Sequence, residues 1–440
     1  SRPVLLAPPH KLPPFGDILR VLKKYRLLPA IYFLKSRADC DNALDLCADD
    51  LTHNPGRTAA RSQRIEELVA KSPHVAGHRQ LWQLEHLAVG AHHSGQLPAW
   101  KLILETLMTE GLLDAVFATS TVAAGVNFPA RTIVFFNSDR FNGREFLPLD
   151  PTEFHQMTGR AGRRGMDHIG FAMAVPGKFM DIRRIGKLVT SRSADVSSQI
   201  KINFSMVLNL LLSHTPDQIE DLLSDSFATF MMVKKKRKKG DRKPLQDEHK
   251  KLWRDFLHHL DFLKETGYVA KDGVLTADGI WASQLRVDEP LMIAEGFRRG
   301  ILPESDPALL AAMTTLFVNE RESDDHIEKV FKPKTLMAAF LNVQKGLRPF
   351  AALMADRGFE VRQLFLRPAA AIYAWAAGQP WEKVLGMAEM EEGDLAMLIL
   401  RTADNLRHIR SLKRVFPEAG LTSATSIDLI MRSPVAMEYE

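Results

Sequence analysis

The stretch HQMTGRAGRRG, running from His155 to Gly165, brings an amide and several guanidiniums together among three glycines. Arginine grips planar oxyanions through paired hydrogen bonds and stays charged at any working pH, so the chemistry on offer is phosphate binding. The preceding residues say how the group is presented. Asp150 can cap a helix, Pro151 suits its first position, and Glu153 completes a capping box. A helix is therefore expected over 151–163. At about 100° per residue, Phe154, Met157 and Ala161 share one face, while Gln156, Arg160 and Arg163 share nearly the opposite one. A solvated basic face would explain the charge alone, but it has no need of Gly159, Gly162 and Gly165, which let a backbone or a ligand approach closely.

The elements that must hold this group follow from the surrounding pattern. Ala30–Leu34, Leu87–Ala91, Ala115–Ala118, Thr132–Phe136 and Gly170–Val175 read as short strands. Helical patterns at Arg37–Asp50, Arg79–His86, Pro98–Glu110 and 151–163 alternate with them. Such alternation predicts a mostly parallel sheet with helices on both faces. Ligands of these sheets bind beyond the C-terminal ends of the strands. The polar clusters Lys35–Arg37, His92–Gly95, Ala118–Asn127 and the arginine helix are all expected at that one edge.

After about Ser193 the strand pattern stops. Ile202–Leu212 and Pro216–Phe230 read as amphipathic helices, followed by eight basic residues in the ten from Lys234 to Lys243. That run reads as a solvated loop compatible with contact to a nucleic-acid backbone. A helix at Asp247–Glu265, a hairpin at Gly267–Gly279 and a helix at Ile280–Gly300 suggest a winged-helix module. Beyond Pro307 the pattern is nearly all helical. Its longest helix, Glu392–Val415, carries the apolar stripe Leu395, Leu398, Ile399, Ala403, Leu406 and Ile409. Arg401, Asn405, Arg407 and Arg410 fall largely off that stripe.

Composition narrows the class. The 440 residues are 45% hydrophobic and 25% charged with a net charge of +5, as for a globular protein with a mild leaning toward polyanions. No apolar run has the length of a membrane span and no signal peptide is evident, so the cytoplasm is the expected compartment. Cys40 and Cys47, the two cysteines, read as reduced thiols in a core. The fifteen histidines lack metal-ligand spacing, and no metal site or nucleophile triad is expected. The chain opens at Ser1 with SRPVLLAPPHKLPP, which reads as a linker within a longer protein.

Taken with their order, these motifs resemble the C-terminal half of superfamily-two DExH-box helicases, and most closely the superkiller-type RNA helicases that act with RNA-degrading machinery. PAIYFLKSRADCD resembles that family's fourth motif. VGAHHSGQLPAWK and FATSTVAAGVNFPARTIVF resemble the region of its fifth, and QMTGRAGRRGMD resembles its sixth. INFSMVLNLL, LTADGIWASQL and EEGDLAMLILRTADNLRHI also look like that branch. The resemblance implies a second RecA-like domain over residues 1–192 and connecting helices with the basic loop over 193–245. It further implies a winged-helix module over 246–300 and a helical bundle over 301–440.

The same resemblance implies residue roles. Arg160 and Arg163 would act as arginine fingers on the γ-phosphate of ATP, with Gln156 positioning the nucleotide or the attacking water. Gly125 and Asn127 would line the nucleotide cleft. Thr119 and Thr121, with Ser36, Arg37 and His93 beside them, would follow the nucleic-acid backbone. The long helix would be a ratchet contacting bases through Arg401 and Arg407. No GxxxxGK[ST] occurs: Pro176–Phe179 and Gly186–Leu188 lack its spacing and hydroxyl. Asp247–Lys250, DEHK, opens a helix where a DExH box would end a strand. ATP and Mg2+ are therefore expected to be held mainly by an N-terminal RecA-like domain outside this chain, which alone would be inactive. The short basic run at Lys234–Lys243 replaces the large arch of eukaryotic members, as in a compact bacterial type. The expected activity is ATP-driven 3′-to-5′ translocation on RNA. A DNA repair helicase and a non-catalytic RNA-binding or adaptor protein on the same scaffold are the alternatives.

Overall fold

A computed structural model describes residues 14–47, 54–123, 130–141, 145–193, 198, 200–231, 251–319 and 333–436. The chain divides into two compact units. The first comprises Ser1–Asp195 with Glu391–Asp394, and the second Val196–Met390 with Leu395–Glu440.

The first unit is built on a five-stranded parallel sheet. Its strands are β1 (Ala30–Phe33), β2 (Val89–His92), β3 (Ala115–Ala118), β4 (Thr132–Phe135) and β7 (Phe171–Ala174), in the order β2-β3-β1-β4-β7. All pair in parallel register, Ala30 lying beside both Ala115 and Thr132. β1 to β4 are buried along their whole length, so they read as continuous apolar runs without alternation. Edge strand β7 is only half covered.

One face of the sheet packs Tyr32, Phe117 and Val134 against Phe15, Leu19 and Leu22 of α1 (Phe15–Lys24) and against Cys40 and Leu44 of α2 (Arg37–Asp45). Phe15 meets Phe117 edge-on at 4.9 Å. On the other face Phe33, Phe135 and Phe154 form a stack, with ring centroids 5.6 and 5.3 Å apart. Phe154 comes from α6 (Pro151–Thr158). Gly90 lies against Leu104 of α5 (Pro98–Thr109), where a side chain would collide. Both cysteines are buried thiols, as core packing requires.

α1 escaped the sequence pattern, and so did three further elements: α3 (Pro55–Lys71), α7 (Ile182–Thr190), and the hairpin of β5 (Asp139–Phe141) with β6 (Phe146–Pro148). Between α3 and α5 lies the short α4 (Leu81–Leu87).

The second unit is helical. The minimal antiparallel bridge between Val269 and Leu275 follows the helix Lys251–Glu265. Ile280–Gly300, expected as one helix, is two: Ala277–Ala282 and Pro290–Arg298. Pro290 sets where the second begins, since a residue before proline is driven out of the α region, and Glu289 accordingly sits at φ −123° and ψ 66°, while the first already ends at Ala282. The helices Pro307–Val318 and Leu366–Ala376 are buried on almost every side and form the bundle's centre. The long helix runs Glu392–Ser411, with all six residues of its expected apolar stripe buried. The basic run Lys234–Lys243 lies outside the described residues.

Candidate functional site

The capping box at Asp150 forms as the sequence requires. The Asp150 carboxylate accepts the Glu153 amide at 2.8 Å, and the Glu153 carboxylate accepts the Asp150 amide at 3.1 Å. The far end of the helix differs from expectation. α6 stops at Thr158, and Gly159 to Gly165 form a compact turn. Gln156, Arg160 and Arg163 therefore do not share a helical face. Gln156 is exposed on α6, whereas Arg160 and Arg163 are half-buried in the turn.

Two glycines explain the shape. Gly162 and Gly165 have φ of +88° and +77°, which side-chain-bearing residues seldom adopt. Gly162 also packs on Gly170, where a Cβ would stand 2.5 Å from the carbonyl carbon of Ala161. Backbone meets backbone there because neither position has a side chain.

The turn is stitched to the sheet. Ala130 donates its amide to the Arg160 carbonyl at 3.0 Å, and Gly162 donates to the Ala130 carbonyl at 2.7 Å. This forms a parallel bridge between Ala130 and Ala161. Ala130 precedes β4 and Gly170 precedes β7, so the arginines stand at the N-terminal edge of the sheet. The expectation that all polar clusters gather at the C-terminal edge is corrected accordingly: α6 runs opposite to the strands and carries the arginines back across. Gly125 and Asn127 lie outside the described residues.

Asp167, which the sequence reading passed over, closes the turn. Its Oδ2 accepts the Arg163 backbone amide at 3.0 Å and Nε at 2.8 Å, and Oδ1 accepts Nη2 at 3.1 Å. Arg131 Nη1 stands 3.6 Å from Oδ1. The hydrogen bond from Arg163 holds the Asp167 carboxyl below the usual carboxylate range. An aspartate four residues after an arginine, across a glycine turn, was the available signal.

The C-terminal edge carries the other expected residues. Thr119, just past β3, shares a hydroxyl–hydroxyl hydrogen bond of 2.9 Å with Thr121. Ser36 uses its hydroxyl to cap α2, accepting the Asp39 amide at 3.0 Å. Arg37 is committed to carboxylates within the first unit, donating to Asp394 at 2.6 and 3.1 Å and to Glu391 at 3.2 Å. Its other bond goes to the Ser94 hydroxyl at 2.7 Å.

His93 does not suit the strand contact expected of it. Its side chain is 0% exposed, Nε2 lies 3.1 Å from Asp41, and Nδ1 accepts the Gly95 amide at 3.2 Å. Both nitrogens are spent inside the protein, so the ring can only position its neighbours. Burial alone would raise the Asp41 carboxyl, but hydrogen bonds from His93 and Gln80 and the charge of Arg79 bring it below its ordinary value.

An aromatic cluster unseen in the sequence completes this edge. Phe146 and Phe179 are 48% and 42% exposed, and the Lys35 ammonium lies 3.4 Å from the centroid of Phe179 and 5.6 Å from that of Phe146. Phe141 packs beside Phe146 at 5.1 Å. Phe141 and Phe146 come from the two strands of the hairpin and Phe179 from the chain beyond β7, so only the fold brings the three together.

In the second unit, Arg401 pairs with Asp288 at 3.0 Å and Arg407 with Asp404 at 3.6 Å, both partly exposed. Asn405, expected off the apolar stripe, is instead 4% exposed, its amide donating to the Arg401 carbonyl at 2.9 Å. A neighbouring open groove is lined by Asn203, Ser205, Met206, Asn209, Arg286 and Val287.

Residues 272–438 match the family described as "DSHCT (NUC185) domain". The chain is 34% identical over 240 residues to "Probable helicase HelY" of Mycobacterium tuberculosis (strain ATCC 25618 / H37Rv), covering 52% of this chain and 26% of that protein. It is 34% identical over 246 residues to "Superkiller complex protein 2" of Mus musculus, covering 54% of this chain and 19% of that protein. With "Exosome RNA helicase MTR4" of Homo sapiens it is 36% identical over 203 residues, covering 44% and 19% respectively.

Over about half its length the chain is thus similar to proteins named as helicases, the superkiller and exosome helicases among them, and its residues 272–438 match the DSHCT domain. It spans about a quarter or less of the length of these relatives. No described helix of the chain is long and apolar enough to cross a membrane.

Proposed function

We propose that this chain is the C-terminal part of an ATP-dependent RNA helicase that translocates 3′ to 5′, with its two substrates engaged at opposite edges of one sheet. The observation that carries this reading is the separation just described. A turn holding Arg160 and Arg163 stands at the N-terminal edge, and a hydroxyl and aromatic array stands at the C-terminal edge. The first unit is then a RecA-like domain. In the second unit, residues 246–300, described from 251, are the winged-helix module, and residues 301–440 form the bundle with its ratchet.

The donors at the arginine turn fit the phosphate end of a nucleotide. Arg163 already presents one edge of its guanidinium to a carboxylate, a geometry that phosphate shares. Arg163 and Arg160 bind the γ-phosphate oxygens, while Gln156 orients the nucleotide or the attacking water and Gly125 and Asn127 line the cleft. An N-terminal RecA-like domain outside this chain supplies the remaining phosphate contacts and the Mg2+ ligands. The transferring phosphoryl group spreads charge over its oxygens, so arginine donors fixed in advance stabilise it without reorganisation.

At the other edge, Thr119 and Thr121 donate to the nucleic-acid backbone, with Ser36 as helix cap and Arg37 held alongside. Phe146 and Phe179 offer base-stacking faces, which bind single strands with little sequence preference. Arg401 and Arg407 provide contacts on the long helix. RNA is favoured because relatives are named as RNA helicases, one of them as an exosome helicase. RNA-degrading machinery is the partner class in this reading.

The deciding experiment measures ATP hydrolysis by this chain alone, by the chain complemented with an ATP-binding RecA-like domain, and with RNA or DNA strands at stated salt. Activity only in the complemented, RNA-stimulated sample is expected. Hydrolysis by the purified chain alone would overturn the reading, and stimulation by DNA alone would move it to a DNA helicase.

A further inference from the structure

The way Asp167 grips Arg163 goes further than holding a turn together. The carboxylate takes the side-on edge of the guanidinium, Nε at 2.8 Å and Nη2 at 3.1 Å, together with the Arg163 backbone amide at 3.0 Å. Asp167 returns its own amide to the Arg163 carbonyl at 3.0 Å, and Gly165 at φ +77° allows so tight a reversal. Side chain, backbone and turn are thus locked through one residue. The carboxylate is 1% exposed while the Arg163 side chain is 17% exposed. Nη1, on the outer edge of the guanidinium, has no hydrogen-bond partner among the described residues. Arg131 stands 3.6 Å from the same carboxylate and holds it from the other side.

We propose that Asp167 is a positioning residue for the phosphate chemistry: it fixes Arg163 side-on, so that the outer edge of the guanidinium is already aimed when a nucleotide arrives. This rests on the arginine-finger reading given above. The physical gain is preorganisation. A free arginine side chain loses rotamer entropy when it is immobilised, and Asp167 has already taken that loss in the resting protein. Donors set before the reaction need no rearrangement while charge develops. The opposite assignment, in which Asp167 competes with phosphate and parks Arg163, predicts the reverse response to mutation.

The test compares Arg163→Ala, Asp167→Asn and Asp167→Glu in the chain complemented with its ATP-binding domain. Asp167→Asn is expected to lower kcat about ten- to hundredfold while KM for ATP changes less than about twofold, since positioning acts on the reaction and hardly on ground-state binding. Asp167→Glu, which keeps the charge but displaces it, recovers part of the loss. In the 440-residue chain alone, the slowly exchanging Nε–H resonance of Arg163 should collapse in Asp167→Asn. Arg163→Ala abolishing hydrolysis while Asp167→Asn leaves kcat unchanged, or raises it, overturns the inference and spares the finger. An inert Arg163→Ala overturns both. If Asp167→Asn folds poorly, Asp167→Glu carries the test, and an unchanged kcat there overturns the inference equally.

Discussion

Ala130 and Ala161 lie side by side in parallel register, joined by the Ala130 amide to the Arg160 carbonyl at 3.0 Å and the Gly162 amide to the Ala130 carbonyl at 2.7 Å. This bridge ties the arginine turn to the chain three residues after Asn127. β3 ends at the C-terminal edge beside Thr119, and β4 begins at the opposite edge beside Ala130. One connection therefore spans from the hydroxyl array to the arginine turn. In the proposed reading, a shift at either end has a covalent path to the other, as coupling of hydrolysis to movement would require.

If Arg160 and Arg163 act as proposed, removing them should silence ATP hydrolysis in the complemented enzyme. An arginine finger is worth roughly 10³–10⁵ in turnover, or about 4–7 kcal/mol in the transition state. Arg163→Ala in the complemented enzyme is expected to lose that much kcat while still binding RNA. Steady-state hydrolysis and strand binding, measured on the same preparation, check it. Retention of wild-type turnover would remove the arginine turn from the chemistry.

The aromatic edge should show itself in strand affinity. Stacking of a base on an aromatic ring contributes about 1–3 kcal/mol. Phe179→Ala or Phe146→Ala is expected to weaken binding of a single strand by that amount, with little change in the salt dependence. Lys35→Ala removes one cation from the same cluster. It should instead lower the slope of log K against log salt by about one contact's worth. Titrations at several salt concentrations separate the two effects.

Much of this architecture is legible in the sequence where one physical signal dominates. The core strands are runs buried on both faces, and their apolar continuity gives them away. α6 begins where its capping box and proline say, because those contacts are local. Its end is not legible. The helix yields at Thr158 because the next residues bond to Ala130, a partner distant in sequence that periodicity cannot reveal. α3 is hidden for another reason: only Arg61 and Ile65 of its seventeen residues are buried. It is anchored through arginines, with Arg57 bonded to the Gly111 carbonyl at 2.9 Å and Arg61 to that of Glu85 at 2.7 Å. Asn405 shows the same limit, since whether a polar residue beside an apolar stripe is buried depends on the neighbouring helix.

Gly170 should tolerate no side chain. A Cβ there would meet the backbone of Ala161 at 2.5 Å and the Gly162 nitrogen at 2.6 Å, and neither can yield without breaking the Ala130 bridge. Gly170→Ala is expected to cost at least about 3 kcal/mol, clearly more than Gly165→Ala, and to lower the melting temperature of the first unit by several degrees. Gly165→Ala meets no atom within 4 Å, so its cost is limited to the positive φ, about 1–2 kcal/mol. If the two variants melt alike, close backbone approach is not what fixes Gly170.

His78 should make the first unit sensitive to mild acid. Its ring stacks on Trp100 with centroids 3.6 Å apart, and its Nδ1 accepts the Gln80 amide at 3.3 Å, so the neutral imidazole is the form that fits. Burial first, and then the charge of Arg79, push its pKa down from 6.5 to about 3. The unfolded chain therefore binds a proton that the folded chain refuses. The stabilisation is fully present above pH 6.5 and is lost progressively as pH falls toward 3. Asp41 and Asp167, with lowered carboxyls, add losses only below the ordinary carboxylate range. Between pH 7 and pH 5 the His78 contribution alone is about 2 kcal/mol. In the second unit Glu289, raised by burial to about 7, acts in the opposite direction. Hydrogen exchange of the β1–β4 amides in the first unit at both pH values should therefore show that loss, and His78→Phe, which keeps a stacking ring without a titrating nitrogen, should flatten it. An equal acid loss in His78→Phe would assign the sensitivity to another group.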